Sequence, residues 1–398
     1  MRVAYICADP GVPVFGHKGS SIHVQSVVRG LRRQGATVEL VCARTDGSAP
    51  PDLADVPIHR LPQVRHADAE QRERGLLAAN AQLANALHLL GPVDLVYERY
   101  SLWSRAGMDH ALTNGTSSVL EVNAPLIEEQ AAHRTLVHRD AAETVARSVI
   151  GAARTVVAVS EPVAAWARGK AGSARTPVYV VPNGVDTDRI RPADPAARRT
   201  GFKVGFVGTL KPWHGVHTLL RAFATGFAGQ ADAGLLLVGD GPESARLRLL
   251  ADQLGIGDQV ELTGSVDHAG VATQLHRMDV AVAPYPDSPE AYFSPLKLYE
   301  YLAAGLPIIA SAVGQATGVL GDGRNAVLVP PGDVPALAGQ LMRLRDDEDL
   351  RTRLGAAARS SAVQHHTWDA AVRRILSLAG AEPAEAEVAG AGEAGRAA

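Results

Sequence analysis

The run Ser294-Pro295-Leu296-Lys297-Leu298-Tyr299-Glu300-Tyr301-Leu302-Ala303-Ala304-Gly305-Leu306-Pro307 sets a cation and a carboxylate three positions apart near the start of a helix. Residues at that spacing are neighbours on one helix face. Ser294 reads as the N-cap, Pro295 as the first helical residue, and Gly305 with Pro307 as the stop. A lysine in the first turn opposes the helix dipole, so its place there makes sense when an anion faces it. Lys297 is therefore a candidate for the charge of a phosphate. Glu300, one turn deeper, has two oxygens that suit the two hydroxyls of a ribose.

Three glycine turns supply what such a ligand needs. Gly205-Phe206-Val207-Gly208-Thr209-Leu210-Lys211-Pro212-Trp213-His214-Gly215 reads as strand, turn and helix start, with Lys211 and His214 beside the helix start where cations meet a diphosphate. Gly239-Asp240-Gly241-Pro242 is a second strand-to-helix turn. Gly16-His17-Lys18-Gly19 precedes a helix capped by Ser20 or Ser21, and its backbone N–H groups sit at a positive helix end. Neither standard phosphate motif is present. The segment after the first strand is too long and wrongly spaced for G-x-G-x-x-G, and His17 stands where a P-loop carries Lys. The donor-binding candidates are Gly16, Gly19, Gly208, Thr209, His214, Gly239, Ser294, Pro295, Leu296 and Glu300. Asp186-Thr187-Asp188 has the form of a metal-binding D-x-D, but it follows the Asn183-Gly184 turn and reads as a turn or cap. No metal site is expected.

Short apolar runs alternate with helical periodicity, which predicts parallel sheets covered by helices. One series of strands falls at 3–7, 37–42, 95–97, 118–122, 155–159 and 178–181. A second falls at 203–207, 235–238, 260–263, 280–283, 308–311 and 326–329. Between them lies the Pro- and Arg-rich stretch 182–200, a linker signal whose arginines (189, 191, 198 and 199) read as a solvated face. Trp368, Ala371, Ile375 and Leu378 share one side of a late helix. From Ala381 the chain lacks periodicity and is expected to be disordered.

The chain has 398 residues, above the size at which one core stops growing, so two domains are expected. Thirty-nine Lys and Arg against 42 Asp and Glu leave no electrostatic footprint for nucleic acid. Two cysteines, Cys7 and Cys42, are too few for a disulfide framework and read as buried apolar residues. The first ten residues form a strand rather than a signal peptide, and no run reaches the ~20 apolar residues of a membrane span. A cytoplasmic protein is expected, with peripheral membrane contact left open.

Taken in order, these motifs resemble a known family. The Gly16–Gly19 loop, VPNGVD at 181–186, FVGTLKPWHG at 206–215, LVGDGPE at 237–243, LTG at 262–264 and the 294–307 run are similar to those of retaining glycosyltransferases of the GT-B fold, family GT4. The resemblance implies two Rossmann-like domains facing a cleft. An acceptor domain would span 1–181 plus a cross-over helix at 366–380, and a nucleotide-sugar domain would span 182–365. It implies transfer of a sugar from a nucleoside diphosphate sugar, UDP-sugar first and GDP-sugar next, to a glycan, lipid-carrier or small-metabolite acceptor. No cofactor or metal is implied. Its paired glutamates fall on Tyr292 and Glu300, with Glu290 the nearest acid to replace the first. Thr209 and His214 stand where cations are common, and Asn123 where a histidine is common. The catalytic candidates are then Lys297, Lys211, Glu290 and His133, and the acceptor-side candidates are His23, Asn123, Glu98 and Arg99. A sugar-nucleotide epimerase of the same fold and a catalytically degenerate binding protein are the competing readings.

Overall fold

The structure, a computed structural model, describes residues 1–65, 68–172, 175–194, 201–288, 292 and 294–381. The strands form two sheets in which every pairing is parallel. The first contains β1 (Arg2–Cys7), β2 (Thr37–Cys42), β3 (Ile58–Arg60), β4 (Leu95–Arg99), β5 (Ser117–Val122), β6 (Thr155–Ala158) and β7 (Val178–Val180). Its spatial order is β3-β2-β1-β4-β5-β6-β7. The second contains β8 (Phe202–Val207), β9 (Ala233–Val238), β10 (Val260–Leu262), β11 (Val280–Ala283), β12 (Ile308–Ser311) and β13 (Val327–Val329), in the order β10-β9-β8-β11-β12-β13. Helices covering both faces of a sheet make its strands apolar throughout, and β9, β11 and β12 are buried at every residue. In each sheet the chain reverses its direction of winding beside the first strand, between β1 and β4 and between β8 and β11. Such a reversal opens a crevice at the carboxyl ends of the strands, where doubly wound folds hold ligands.

All twelve predicted apolar runs are strands. The thirteenth, β3, is two half-buried residues and an exposed arginine with a single aliphatic side chain, too little to leave a pattern. It forms because β2 offers an open edge, with Leu40 in register with Ile58. The helix Gly19–Arg33 begins ahead of both predicted serine caps, one residue before Ser20 and two before Ser21. Lys18 is its N-cap residue, without a side-chain hydrogen bond, while Ser21 is fully buried. Cys7 and Cys42 are free buried thiols in register on adjacent strands, and burial pushes them up to about 12 and about 11.

The late helix, Trp368–Leu378, packs on the first sheet's side of the molecule. Trp368, Val372, Ile375 and Leu376 join the core that contains Val24, Val27, Val28 and Leu31. A Cβ on Gly30 would lie 2.5 Å from Val372 Cγ2, so the two helices meet without a side chain between them. The chain thus passes between the sheets twice, and both passages meet. Val185 donates to the His366 carbonyl at 2.8 Å and accepts from Trp368 N at 3.2 Å. Arg189 and Arg191 are exposed there, whereas Arg198, Arg199 and the tail after Ala381 lie outside the described residues.

Candidate active site

The second-sheet half of the site is built where β8 and β9 end. Gly208 follows β8 with φ +140°, and a Cβ on it would come within 2.8 Å of Lys297 Nζ. Gly239 follows β9 with φ +133°, and a Cβ there would overlap the Gly208 carbonyl. Only glycine lets these two turns stack and leaves Lys297 room.

Lys297 lies in the first turn of the helix Leu296–Ala303 and is 7% exposed. Its Nζ sits 4.0 Å from the Phe206 ring centroid and 5.4 Å from that of Tyr285. It makes no hydrogen bond among the described residues. Burial pulls it down from 10.5 to about 7, with Glu300 acting weakly the other way. Glu300 is partly exposed to the cleft, and desolvation pushes its carboxyl up to about 7 against the pull of Lys297. A buried lysine with no partner is an unsatisfied cation that waits for an anion.

Ser294 does not cap this helix. Its hydroxyl accepts from Asn183 N at 3.2 Å and lies 3.2 Å from the Tyr299 hydroxyl. Asn183 Nδ2 in turn donates to the Ser294 carbonyl at 2.7 Å. Pro295 is the N-cap residue, and the serine ties the linker to the start of the helix instead.

Lys211 and His214 flank a short 3-10 turn, Pro212–His214. Lys211 Nζ lies 4.7 Å over the Trp213 ring. His214 Nδ1 hydrogen-bonds to the Thr209 carbonyl. Burial, and then the Lys297 charge, hold His214 down at about 3, so it is a neutral donor rather than a cation.

The first sheet supplies the facing wall. Gly16 lies in the loop before the helix Gly19–Arg33 and Gly19 opens that helix, with the Gly19 Cβ position 3.7 Å from Leu296 Cδ1 across the cleft. His23 and Asn123 line the same cleft, as does Arg99. His23 Nε2 is 2.9 Å from Glu121 Oε1, and Asn123 Nδ2 is 3.4 Å from His23 Nε2. Glu98 does not join them. It is fully buried, its carboxyl held by Ser104 Oγ and the Met108 amide, and it does not line the cleft. Adjacent strand residues face opposite sides, so only one of Glu98 and Arg99 could reach the cleft, and Arg99 does. His133 is the last residue of the helix Leu126–His133 and meets Trp213 of the other half at 5.8 Å between ring centroids. Tyr292 donates its hydroxyl to Glu129, also across the cleft. Glu290 lies outside the described residues. Sequence reasoning missed Glu121, whose partners His23 and Tyr97 come from two other elements.

Two chambers result. One, of about 1060 Å³, is lined by the Gly16–Gly19 and Gly208 loops, Lys297 and Glu300. The other, of about 900 Å³, is lined by Trp103, Glu129, His133, Trp213 and Tyr292. Gly11, Arg44, Asp46, Asn123, Lys211 and His214 line both, so the two chambers adjoin. Asp186 acts as a turn residue, its Oδ1 accepting from the amides of Asp188 and Arg189 at 3.1 Å. Among the described residues, no three His, Cys, Asp or Glu side chains gather as a metal site.

Twin parallel sheets facing a cleft, crossed by a final helix, define the GT-B architecture. Sucrose-phosphate synthase from Thermosynechococcus elongatus shares it, with a TM-score of 0.71 at 22% identity over 95% of this chain and 98% of that one. The description "Glycosyltransferase Family 4" matches residues 17–189 and "Glycosyl transferases group 1" matches residues 189–361. A D-inositol 3-phosphate glycosyltransferase from Streptomyces scabiei is 31% identical over 386 residues, 88% of this chain and 83% of that protein. A phosphatidyl-myo-inositol mannosyltransferase from Mycobacterium leprae is 33% identical over 225 residues, 56% of this chain and 58% of that relative. The chain belongs to the group 1 glycosyltransferases.

Proposed function

We propose that this chain transfers a sugar from a nucleoside diphosphate sugar to a hydroxyl of an acceptor, with retention and without a divalent metal. The observation that carries the reading is the buried Lys297 ammonium, unpartnered beside two stacked glycine turns. A diphosphate there would give it a counter-charge, and Glu300 one turn along would take the ribose hydroxyls. UDP-sugars are the first donors to test and GDP-sugars the next. D-inositol 3-phosphate is the first acceptor to test, on the name of the Streptomyces relative. Glycans, lipid carriers and small metabolites follow.

In the reaction the bond between the anomeric carbon and the phosphate oxygen breaks while the acceptor oxygen bonds the same face of that carbon. The departing phosphate takes the acceptor proton. Charge grows on the leaving diphosphate, and groups aimed at it act most strongly in the transition state. Lys297, Lys211 and the helix starts at Gly19 and Leu296 are those groups. His214, neutral and tied to Thr209, shapes the wall between the chambers. The relatives named above carry transferase or synthase names, and none carries an epimerase name.

The test is a melting-temperature screen with UDP-, GDP-, ADP- and dTDP-sugars, followed by mass spectrometry with candidate acceptors. A donor at a hundred times its dissociation constant should add ~2.7 kcal/mol of stability. Epimerised donor without transfer would overturn the proposal, as would binding of no nucleotide sugar at all.

A further inference from the structure

Beneath the cleft floor lies a polar cluster that the reaction above does not use. Glu121 is 3% exposed, on a central strand of the first sheet. Its Oε1 accepts from His23 Nε2 at 2.9 Å and from the Tyr97 hydroxyl at 2.7 Å. Arg99 Nη1 lies 4.0 Å from Oε2. Burial pushes the Glu121 carboxyl up, but His23, Arg99 and the Tyr97 hydroxyl together outweigh it and hold it below the usual carboxylate range. The other charged or titratable groups facing it are Tyr5 and Cys7 of β1.

A buried ionised carboxylate is unfavourable unless its partners repay the lost hydration, and apolar residues commonly fill such a space at least as well. Here the carboxylate grips one edge of an imidazole that lines the cleft. Trp368 holds the same ring edge-on, at 5.1 Å between centroids. With Nε2 taken, Nδ1 is the ring atom left to bond a ligand.

We propose that Glu121 is a positioning residue: by taking the Nε2 hydrogen of His23, it presents Nδ1 to the cleft as the partner of one substrate hydroxyl. This rests on the transferase reading above. A hydroxyl both donates and accepts, so it pairs with Nδ1 in either protonation state, whereas a phosphate oxygen pairs only with the protonated ring. The hydroxyl belongs to the donor sugar or to the acceptor, and kinetics separates the two.

The experiment compares the wild type with Glu121→Gln, His23→Gln and the double variant, on the donor and acceptor pair found in the screen. Removing a group that orients another typically lowers activity about 10–100-fold. Each single variant should lose at least about tenfold in kcat/KM, the double variant should be no worse than His23→Gln, and Glu121→Gln should shift the pH profile. Binding of UDP or GDP by calorimetry should stay unchanged. A loss in donor KM and in donor hydrolysis without acceptor assigns the hydroxyl to the donor sugar. A loss confined to acceptor KM assigns it to the acceptor. A Glu121→Gln protein with lowered melting temperature but unchanged kcat/KM and pH profile overturns the proposal. Nitrogen-15 shifts of the His23 ring give a readout without turnover, and a wild-type ring with no proton on Nε2 overturns it too. A chain that shows the expected tautomer and transfers nothing would refute the transferase reading instead.

Discussion

Replacing Lys297 by methionine should stabilise the empty protein while disabling it. The fall from 10.5 to about 7 at 1.36 kcal/mol per pH unit means that holding the charge costs the folded state roughly 4 kcal/mol at pH 7. Two losses offset part of that gain. The cation over Phe206 contributes about 1–2 kcal/mol, methionine recovers some of it through its sulfur, and Glu300 loses its nearby cation. A net gain of about 1–2 kcal/mol remains, or roughly 1–2 °C in melting temperature for a chain of 398 residues. The sign with pH is fixed. Between about 7 and 10.5 the unfolded chain holds the Lys297 proton more tightly than the folded one, so wild-type stability rises with pH through that window. Below it the penalty is complete. Glu300 runs the other way, because its raised carboxyl favours the folded state below 4.5 and that contribution is lost as pH rises to about 7. The difference between variant and wild type should therefore be largest near pH 6.5 and shrink toward pH 9. Scanning fluorimetry across that range, with and without UDP or GDP, is the assay. With nucleotide the order should invert, because only the wild type gains the diphosphate contact. A Lys297→Met protein that is less stable than wild type near pH 6.5, yet equally stabilised by nucleotide, would refute the reasoning.

Glu300→Ala should weaken nucleotide binding by about 1.5–3 kcal/mol in calorimetry, the value of hydrogen bonds to a charged group, with the fold intact. Under saturating substrates, Lys297→Ala should lower kcat far more than His214→Ala, since His214 is already neutral in the empty site; the reverse order would assign the phosphate charge to the histidine. Transfer should survive excess EDTA, and activity restored only by Mg²⁺ or Mn²⁺ would contradict the metal-free mechanism. Gly184→Ala should destabilise by more than about 1 kcal/mol in denaturant unfolding, because a Cβ there would lie 2.6 Å from Trp368 N at the crossing of the two linkers.

The sheets were readable in the sequence because parallel strands buried on both faces leave unbroken apolar runs, as in Ala233–Val238 and Ile308–Ser311. The glycine turns were readable because Gly208 and Gly239 take backbone angles that other residues avoid. What failed was tertiary competition for local signals. Ser294 has the type and place of a cap, but Asn183, 111 residues earlier, claims its hydroxyl. Glu98 and Arg99 were read together as facing the acceptor, although successive strand residues cannot share a face. Glu121 was passed over because a charge in an apolar run has no meaning until His23 and Tyr97 are brought to it from two other elements.

The order in which the parts are made differs from the order in which they pack. Residues 368–378 complete the core of the first sheet, yet a ribosome makes them after every strand of the second. At about 5–20 residues per second, some ten seconds or more separate the last strand of the first sheet from the helix that completes its core. The late helix therefore ties completion of the first sheet's core to synthesis of nearly all the described chain. A chain cut short before Trp368 lacks the Trp368, Val372, Ile375 and Leu376 side chains of that core, although it carries every strand of both sheets.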